Sequence, residues 1–251
     1  MTIEDTGAHA LIRGRHSVRA FRDTRVERDV IQRILATAAC SPSGTNMQPW
    51  QVYVLTGDAR DALVERVTAV RAREPERERG PEPFGEYNYN PEPLEEPYRG
   101  RRKAVGWSLY SLLGIAKGDR AASWEAAGRN FEFFGAPVGL IFTLDRYLGM
   151  GSWLDLGIFM QSIMLAARGE GLDTCCQAAW RHYHDIVREV APISDQEIVV
   201  CGMSLGHADP AAIANQLRSE REPVEAFARF VTAAPSAKHH TTCAEQCDAT
   251  S

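Results

Sequence analysis

Three short apolar segments constrain the fold of this chain more than any other feature of its sequence. Residues Gln51–Thr56, 138–144 and 197–205 are rich in β-branched, aromatic and aliphatic side chains, a composition typical of strands. The segments 29–39 and 153–168 instead place apolar residues at helical spacing. This mixture indicates an α+β chain, and its simplest arrangement is one sheet wrapped by helices.

A change of composition interrupts the pattern between residues 74 and 103, which contain six prolines and many glutamates. Such a segment neither continues a helix nor buries much backbone, so we predict either a mobile surface excursion or a lid. Residues 232–251 are rich in alanine, serine and threonine, which predicts a disordered tail after a domain spanning 1–231. Further helices are predicted at 8–14, from an Asp58 N-cap to about Arg73, and at 107–115, 123–134 and 182–190.

Composition and charge narrow the function classes. The net charge of −5 offers no electrostatic reason to expect a nucleic-acid partner. No apolar run approaches the roughly 20 residues needed to cross a bilayer, and no signal peptide is evident, so we expect a cytoplasmic protein without membrane association. The six cysteines do not require a disulfide framework. Four of them lie among apolar or small residues and are predicted to be buried, unreactive thiols: Cys40, Cys175, Cys176 and Cys201.

Basic and hydroxyl side chains are concentrated between Arg15 and Arg19. Guanidinium groups offer paired donors to phosphate oxygens, and Ser17 adds a shorter hydrogen bond. Arg15, Ser17 and Arg19 share one side of an extended segment, while His16 adds a further potential cation. The cluster therefore predicts a phosphate clamp, with an ordinary solvated basic surface as the alternative.

A second polar cluster, Ser-Pro-Ser-Gly-Thr-Asn-Met-Gln-Pro-Trp, occupies residues 41–50. Its amides and hydroxyls are of the kind that bind the edge of a planar heterocycle, although a polar turn before a strand is an equally good reading of these residues alone. A phosphate clamp followed by this loop indicates a nucleotide-like cofactor.

These two clusters resemble the N-terminal signatures of the FMN-dependent nitroreductases. A third stretch, Gly-Leu-Asp-Thr-Cys-Cys-Gln-Ala-Ala-Trp at residues 171–180, resembles the loop that this family places over the flavin. The resemblance runs from about residue 10 to about residue 230, with the insertion between, and three matches in order make it specific. It implies a mostly antiparallel sheet wrapped by helices, in a domain-entwined homodimer whose two chains build each site.

The resemblance also implies roles for individual residues. The clamp would hold the FMN phosphate or ribityl chain, and Arg19 would reach the N1/O2 edge of the flavin, where a cation favours the reduced form. One backbone N–H of the 176–178 segment would bind flavin N5. Many relatives have Pro or Glu near this segment, which leaves the exact contact open. The full set of implied cofactor contacts is Arg15, His16, Ser17, Arg19, Pro42, Ser43, Asn46, Gln48, Cys176, Gln177, Ala178 and Arg221.

The implied activity is reduction of nitroaromatic or quinone-like compounds by NADH or NADPH, with ping-pong hydride transfer through flavin N5 and no catalytic side chain or metal ion. Residues 106–115 resemble the nitrobenzoate-reductase-like branch, so Trp107, Tyr110, Arg101 and Arg102 are expected to contact substrate. Three alternatives stay open on this scaffold: a reductive dehalogenase, a flavin-fragmenting enzyme, and a flavin-binding protein without turnover.

Overall fold

A four-stranded antiparallel sheet forms the centre of the computed structural model, which describes residues 7–78 and 85–232. The strands are β1 (Gln51–Thr56), β2 (Val138–Asp145), β3 (Asp173–Gln177) and β4 (Glu197–Gly206), in the spatial order β1-β2-β4-β3. The predicted α+β class and the three predicted strands are confirmed. β3 was predicted as a loop, which is wrong. Its residues Asp-Thr-Cys-Cys-Gln carry almost no local strand signal, and pairing with β4 holds them extended.

The helices surround this sheet. The described residues form α1 (Ala8–Gly14), α2 (Arg28–Ala38), α3 (Gly57–Arg73), α4 (Tyr98–Leu112), α5 (Arg120–Gly128), α6 (Met150–Gly169), α7 (His184–Val190) and α8 (Val224–Phe227). Shorter 3-10 segments occur at Gly44–Asn46, Pro75–Glu78, Arg129–Gly135, Ala178–Tyr183 and Ile213–Gln216.

Successive side chains of β2 point to opposite faces of the sheet, and the core accordingly has two layers. Leu140 and Phe142 face a layer that contains Ile34 of α2 and Phe159 of α6, whereas Ile141 belongs to the opposite layer. That second layer is rich in aromatic rings from the 3-10 segments. The sheet is thus packed on both faces, which explains why β2 and β4 are almost completely buried.

Two strand glycines allow aromatic rings to lie against the sheet. Phe133 and Trp180 are stacked with centroids 4.4 Å apart. A Cβ at Gly139 would overlap the Phe133 ring, and one at Gly202 would overlap Trp180. The small residue is required here by close approach, since even an alanine would displace a buried ring.

Three predicted helix boundaries are corrected. The helix predicted at 107–115 begins at Tyr98 and ends at Leu112, so it starts inside the proline-rich segment. The helix predicted at 123–134 ends at Gly128 and continues as a 3-10 segment, where Phe133 has a φ of 51°. Asp58 lies in the first turn of α3, and Thr56 is the N-cap. Proline clusters and turn residues locate such ends only to within a few residues.

The described part of the insertion is fastened to the sheet. The Glu86 carboxylate accepts a hydrogen bond from the Val199 N–H at 2.7 Å and pairs with Arg188 at 3.1 Å and with Arg146. The Tyr87 hydroxyl donates to the Val200 carbonyl over 2.7 Å. These contacts tie the middle of the insertion to β4.

Helix α6 is apolar on two faces. Phe159 and Ile163 are buried against the sheet, whereas Met150, Leu154 and Ile158 are 86%, 73% and 43% exposed. In the described part of the chain it is the one helix long and apolar enough to cross a membrane, judged by length and composition alone, with a mean hydropathy of 1.2. The expectation that no apolar segment approaches this length was wrong, because Gly, Ser and Asp residues interrupt the apolar residues of this helix.

The chain divides into two compact units, Met1–Arg218 and Ser219–Ser251. The first contains the sheet. The described part of the second contains α8. The tail predicted to be disordered lies outside the described residues from position 233 onward.

Candidate cofactor and substrate site

The basic segment 15–21 lies along the free edge of β3. The Val18 N–H donates to the Thr174 carbonyl over 3.1 Å, and Ser17 forms a parallel bridge with Thr174. Asn215 fixes the other side of the segment, because its Oδ1 accepts from the Arg19 N–H at 2.7 Å and its Nδ2 donates to the Ala20 carbonyl at 2.8 Å. The backbone of the predicted clamp is therefore held from both sides.

The clamp is a cluster of cations without acidic partners. Within residues 7–78 and 85–218, no carboxylate pairs with Arg15, Arg19 or Arg218, and the latter two donate only to backbone carbonyls. By contrast, the neighbouring Arg168 pairs with Asp173 at 2.7 Å. Arg15 and Arg19 are half-buried and Arg218 is exposed. Guanidinium groups left without a counter-charge by the described residues of this unit are the donor set that a phosphate requires.

The electrostatic surroundings of His16 also favour a phosphate-binding site. Burial lowers the pKa of His16 most; the Gly14 carbonyl and Asp173 oppose this, while Arg218 and Arg168 lower the pKa further. An imidazole with a lowered pKa is neutral near pH 7 and contributes one N–H donor.

Sequence reasoning missed Arg218 and Asn215. Arg218 acts electrostatically on His16, whereas Arg221 lies in the second unit, where its guanidinium donates to Ser219 and Glu220. Both arginines lie in residues 218–223, the segment in which the resemblance placed a basic contact to the cofactor, so the local pattern did not distinguish them. Asn215 carries no sequence signal, because its role depends on contacts with residues almost 200 positions away. The role predicted for Arg221 stays a prediction.

The polar loop 41–48 is fastened to α6. The Gly44 N–H donates to both carboxylate oxygens of Asp155 at 3.2 Å, and the Ser41 hydroxyl donates to that of Ser162 at 2.7 Å. The Gln48 N–H donates to Ser43 Oγ at 2.9 Å. Pro42, Asn46 and Gln48 are exposed, and Thr45, Asn46 and Gln48 have φ values of 49°, 61° and 49°. Left-handed backbone at consecutive non-glycine residues is strained and is typical of functional loops.

Helix α6 also shows how far apart the two predicted clusters lie. Asp155 binds the polar loop, and the Arg168 guanidinium lies beside Gly14 at the start of the clamp. Asp155 and Arg168 are thirteen residues apart, about 20 Å along a helix, whereas Ser162, which binds Ser41, is six residues from Arg168, about 9 Å. In one chain the Gly44 end of the loop therefore lies far along α6 from the clamp.

At Gln177, the last residue of β3, only the backbone is available to a cofactor. The Gln177 side chain is buried, where its Nε2 donates to the Asn130 carbonyl at 2.6 Å and its Oε1 accepts from Ser204 Oγ at 2.8 Å. Cys176 and Ala178 are more accessible to solvent than Gln177. The clamp pairs with β3 at Thr174, so it does not cover this end of the strand. A flavin contact at 177 would therefore use main-chain atoms.

The cysteine predictions are half correct. Cys175 and Cys201 are buried, as predicted, whereas Cys40 and Cys176 are exposed. Side chains alternate along β3, so Cys175 and Cys176 must face opposite sides. All four are free thiols.

The residues expected to contact substrate lie on α4. None of the residues of this helix is buried, and Trp107 is 45% exposed. The helix packs on Ile213–Gln216, next to the clamp, and Arg102 near its start acts electrostatically on Arg181, three residues beyond Ala178. Helix α4 thus extends from the end of β3 to the clamp.

The described residues contain no group of three His, Cys, Asp or Glu side chains able to hold a metal ion.

Comparison with known proteins agrees with this arrangement. A model of the nitroreductase family matches residues 12–207. A 4-nitrobenzoate reductase of Pseudomonas putida is 39% identical over 222 residues, covering 88% of this chain and 94% of the relative. A chloronitrobenzene nitroreductase of Comamonas testosteroni is 42% identical over 221 residues, covering 88% and 95%. The crystal structure of the FMN and NADPH-dependent nitroreductase NfnB from Sphigopyxis sp. strain HMH superposes with a TM-score of 0.84 at 34% identity, covering 90% of this chain and 99% of that one.

Proposed function

Since the chain belongs to the nitroreductase family, we propose that it is an FMN-dependent NAD(P)H oxidoreductase that reduces nitroaromatic compounds. Its relatives include reductases of nitrobenzoate, chloronitrobenzene and nitrobenzene. Structures similar to it are FMN- and NADPH-dependent enzymes. The observation in this chain that carries the proposal is the clamp, whose half-buried Arg15 and Arg19 have no carboxylate partner within residues 7–78 and 85–218.

The residues present fit FMN. Arg15, His16, Ser17 and Arg218 supply donors for a phosphate, and Asn215 holds the segment that carries Arg19. Arg218, whose charge lowers the pKa of His16, is proposed as a phosphate donor in addition to the predicted contact Arg221. When bound, FMN accepts hydride from the nicotinamide and passes two electrons to the nitro group.

The chain's own contribution is binding and orientation. The clamp anchors the anionic end of the cofactor, and the main chain at 176–178 offers backbone donors at the edge of the sheet. Trp107, Tyr110, Arg101 and Arg102 of α4 are proposed to cover the substrate. Because Trp107, Tyr110 and Arg102 are not buried, their side chains can change rotamer around acceptors of different shape, which favours a broad substrate range.

The test of this function is anaerobic spectroscopy of the FMN-loaded protein. Addition of NADPH is expected to bleach the flavin band, and addition of 4-nitrobenzoate is expected to restore it. Because donor and acceptor would use one pocket in turn, steady-state double-reciprocal plots are expected to be parallel. Bleaching without recovery would favour another electron acceptor, such as a halogenated compound. Absence of bleaching would indicate a protein that binds flavin without turnover.

We further propose a homodimer in which each cofactor contacts both chains. In one chain the Gly44 end of the polar loop contacts α6 about 20 Å along the helix from Arg168 at the clamp, so a second copy would supply that part of the loop to each clamp. The exposed residues Met150, Leu154 and Ile158 recur every four positions and form an apolar stripe suited to a two-fold contact.

Leu154→Glu is expected to shift the molecular mass measured by light scattering from dimer to monomer and to lower FMN occupancy, because it places a charge in the apolar contact. Ala72→Glu adds the same charge to an exposed position on α3 and should leave both quantities unchanged. A dimeric Leu154→Glu protein with full FMN would contradict this interface.

A cytoplasmic location is also proposed. The four described cysteines are free thiols, as expected in a reducing compartment.

A further inference from the structure

Arg181 is a cation that the proposed clamp does not use. It belongs to the 3-10 segment Ala178–Tyr183 that follows β3, and its Nη1 donates to the Ala178 carbonyl at 3.2 Å. Its Nε is buried without a hydrogen-bond partner. Arg71, Arg77 and Arg188 nearby each pair with a carboxylate, whereas no acidic side chain of the described residues pairs with Arg181.

The surroundings of Arg181 are aromatic and cationic. Its Cζ lies 5.8 Å from the centroid of the Tyr89 ring, and the insertion passes so close at Gly85 that a Cβ there would stand 3.0 Å from the Arg181 stem. Burial lowers the pKa of Arg181 most; Tyr87 and Tyr89 oppose this, and Arg102 lowers the pKa further. Arg181 is thus a half-buried guanidinium beside an aromatic ring, with no acidic partner among the described residues.

We infer that Arg181 forms an oxyanion subsite beside the Cys176–Ala178 segment. The planar guanidinium of Arg181 can bind a carboxylate or phosphate through two parallel hydrogen bonds, and its partial burial strengthens them. Exposed Arg102 attracts the anion from solvent. Tyr89 supplies an aromatic surface for a planar ligand.

This inference rests on the proposed function, since the ligand must lie beside the Cys176–Ala178 segment at the end of β3. Two molecules of the proposed reaction carry a suitable oxyanion: a nitroarene with a carboxylate, and the nicotinamide donor with its phosphates. The subsite chemistry is the same for both, and the experiment separates them.

The first arm measures binding of non-reducible analogues to the oxidised FMN-loaded protein by perturbation of the flavin spectrum. Benzoate and its neutral isostere benzamide are compared. If the carboxylate is the ligand, wild type binds benzoate more tightly, and Arg181→Gln loses this preference by about tenfold to hundredfold. Arg102→Gln should cause a smaller loss because the side chain is exposed.

The second arm measures the dissociation constant of the nicotinamide donor during anaerobic flavin reduction. If a phosphate is the ligand, Arg181→Gln weakens NADPH by a similar factor but leaves 1-benzyl-1,4-dihydronicotinamide, which has no phosphate, unaffected. Arg99→Gln is the matched control on α4, since Arg99 is exposed and pairs with Glu96; it should change neither arm.

Loss of selectivity in either arm supports the subsite and identifies its ligand. Unchanged selectivity in both arms, with FMN content and circular dichroism like wild type, overturns it. If Arg181→Gln fails to hold FMN, the selectivity of Arg102→Gln decides whether the subsite exists. This variant should fold like wild type, because no residue of α4 is buried. A wild-type protein that is not reduced by NADPH would instead reject the proposed function, so the two failures are distinguishable.

Discussion

Replacement of Arg15 by alanine is expected to weaken FMN binding by about tenfold to hundredfold, the effect of removing one charge-assisted hydrogen-bonding group from an anion. Arg15 is half-buried and, within the described residues of its unit, pairs with no carboxylate. Its removal therefore breaks no internal ion pair. The dissociation constant is measured by quenching of flavin fluorescence when FMN is added to apoprotein.

Riboflavin, which lacks the phosphate, provides the decisive control for this variant. Its affinity should be nearly the same for wild type and Arg15→Ala, because the arginine acts on the phosphate. Arg25→Ala removes a basic side chain that is 82% exposed and pairs with Glu27 on the surface, and it should leave FMN binding unchanged. Equal losses for FMN and riboflavin would show that Arg15 supports the fold instead of binding phosphate.

Glu86→Gln is expected to lower the free energy of unfolding by about 2–4 kcal/mol at pH 7. The Glu86 side chain is 7% exposed, and the substitution leaves Arg188, which is 15% exposed, without its counter-charge. The contact with the more exposed Arg146 contributes less. Urea denaturation measures the change. Glu189→Gln breaks a surface pair with Arg66 and should alter stability by less than about 0.5 kcal/mol.

The pH dependence provides a second test of Glu86. Burial raises the pKa of this carboxyl, but the Val199 N–H, Arg146 and Arg188 together hold it below the ordinary value of 4.5. A carboxyl with a depressed folded-state pKa stabilises the protein above its unfolded pKa and loses that contribution as pH falls through the folded value. The stability difference between wild type and Glu86→Gln should therefore shrink below about pH 4.5. A difference that is independent of pH would assign the effect to packing.

Local patterns in the sequence predicted the strands whose residues are themselves apolar and β-branched. The segments that became β1, β2 and β4 were found for this reason, and the helical spacing of α2 and α6 was recognised in the same way. Asp173–Gln177 was missed because its strand conformation depends on β4 and on the clamp, both distant in sequence. Tyr98 was missed as a helix start because the prolines just before it suggested a longer break.

The residue types needed for an FMN site were determined by the sequence itself: a run of basic and hydroxyl side chains, an amide-rich loop and a small-residue segment, in an order that identified the family. Tertiary structure alone decided which of these groups meet. It fixed the clamp with Asn215, left Arg181 without an acidic partner among the described residues, and held the Gly44 end of the polar loop about 20 Å along α6 from Arg168. The physical reason is that a side chain's chemistry is local, whereas its partners and counter-charges are set by packing between segments far apart in the chain.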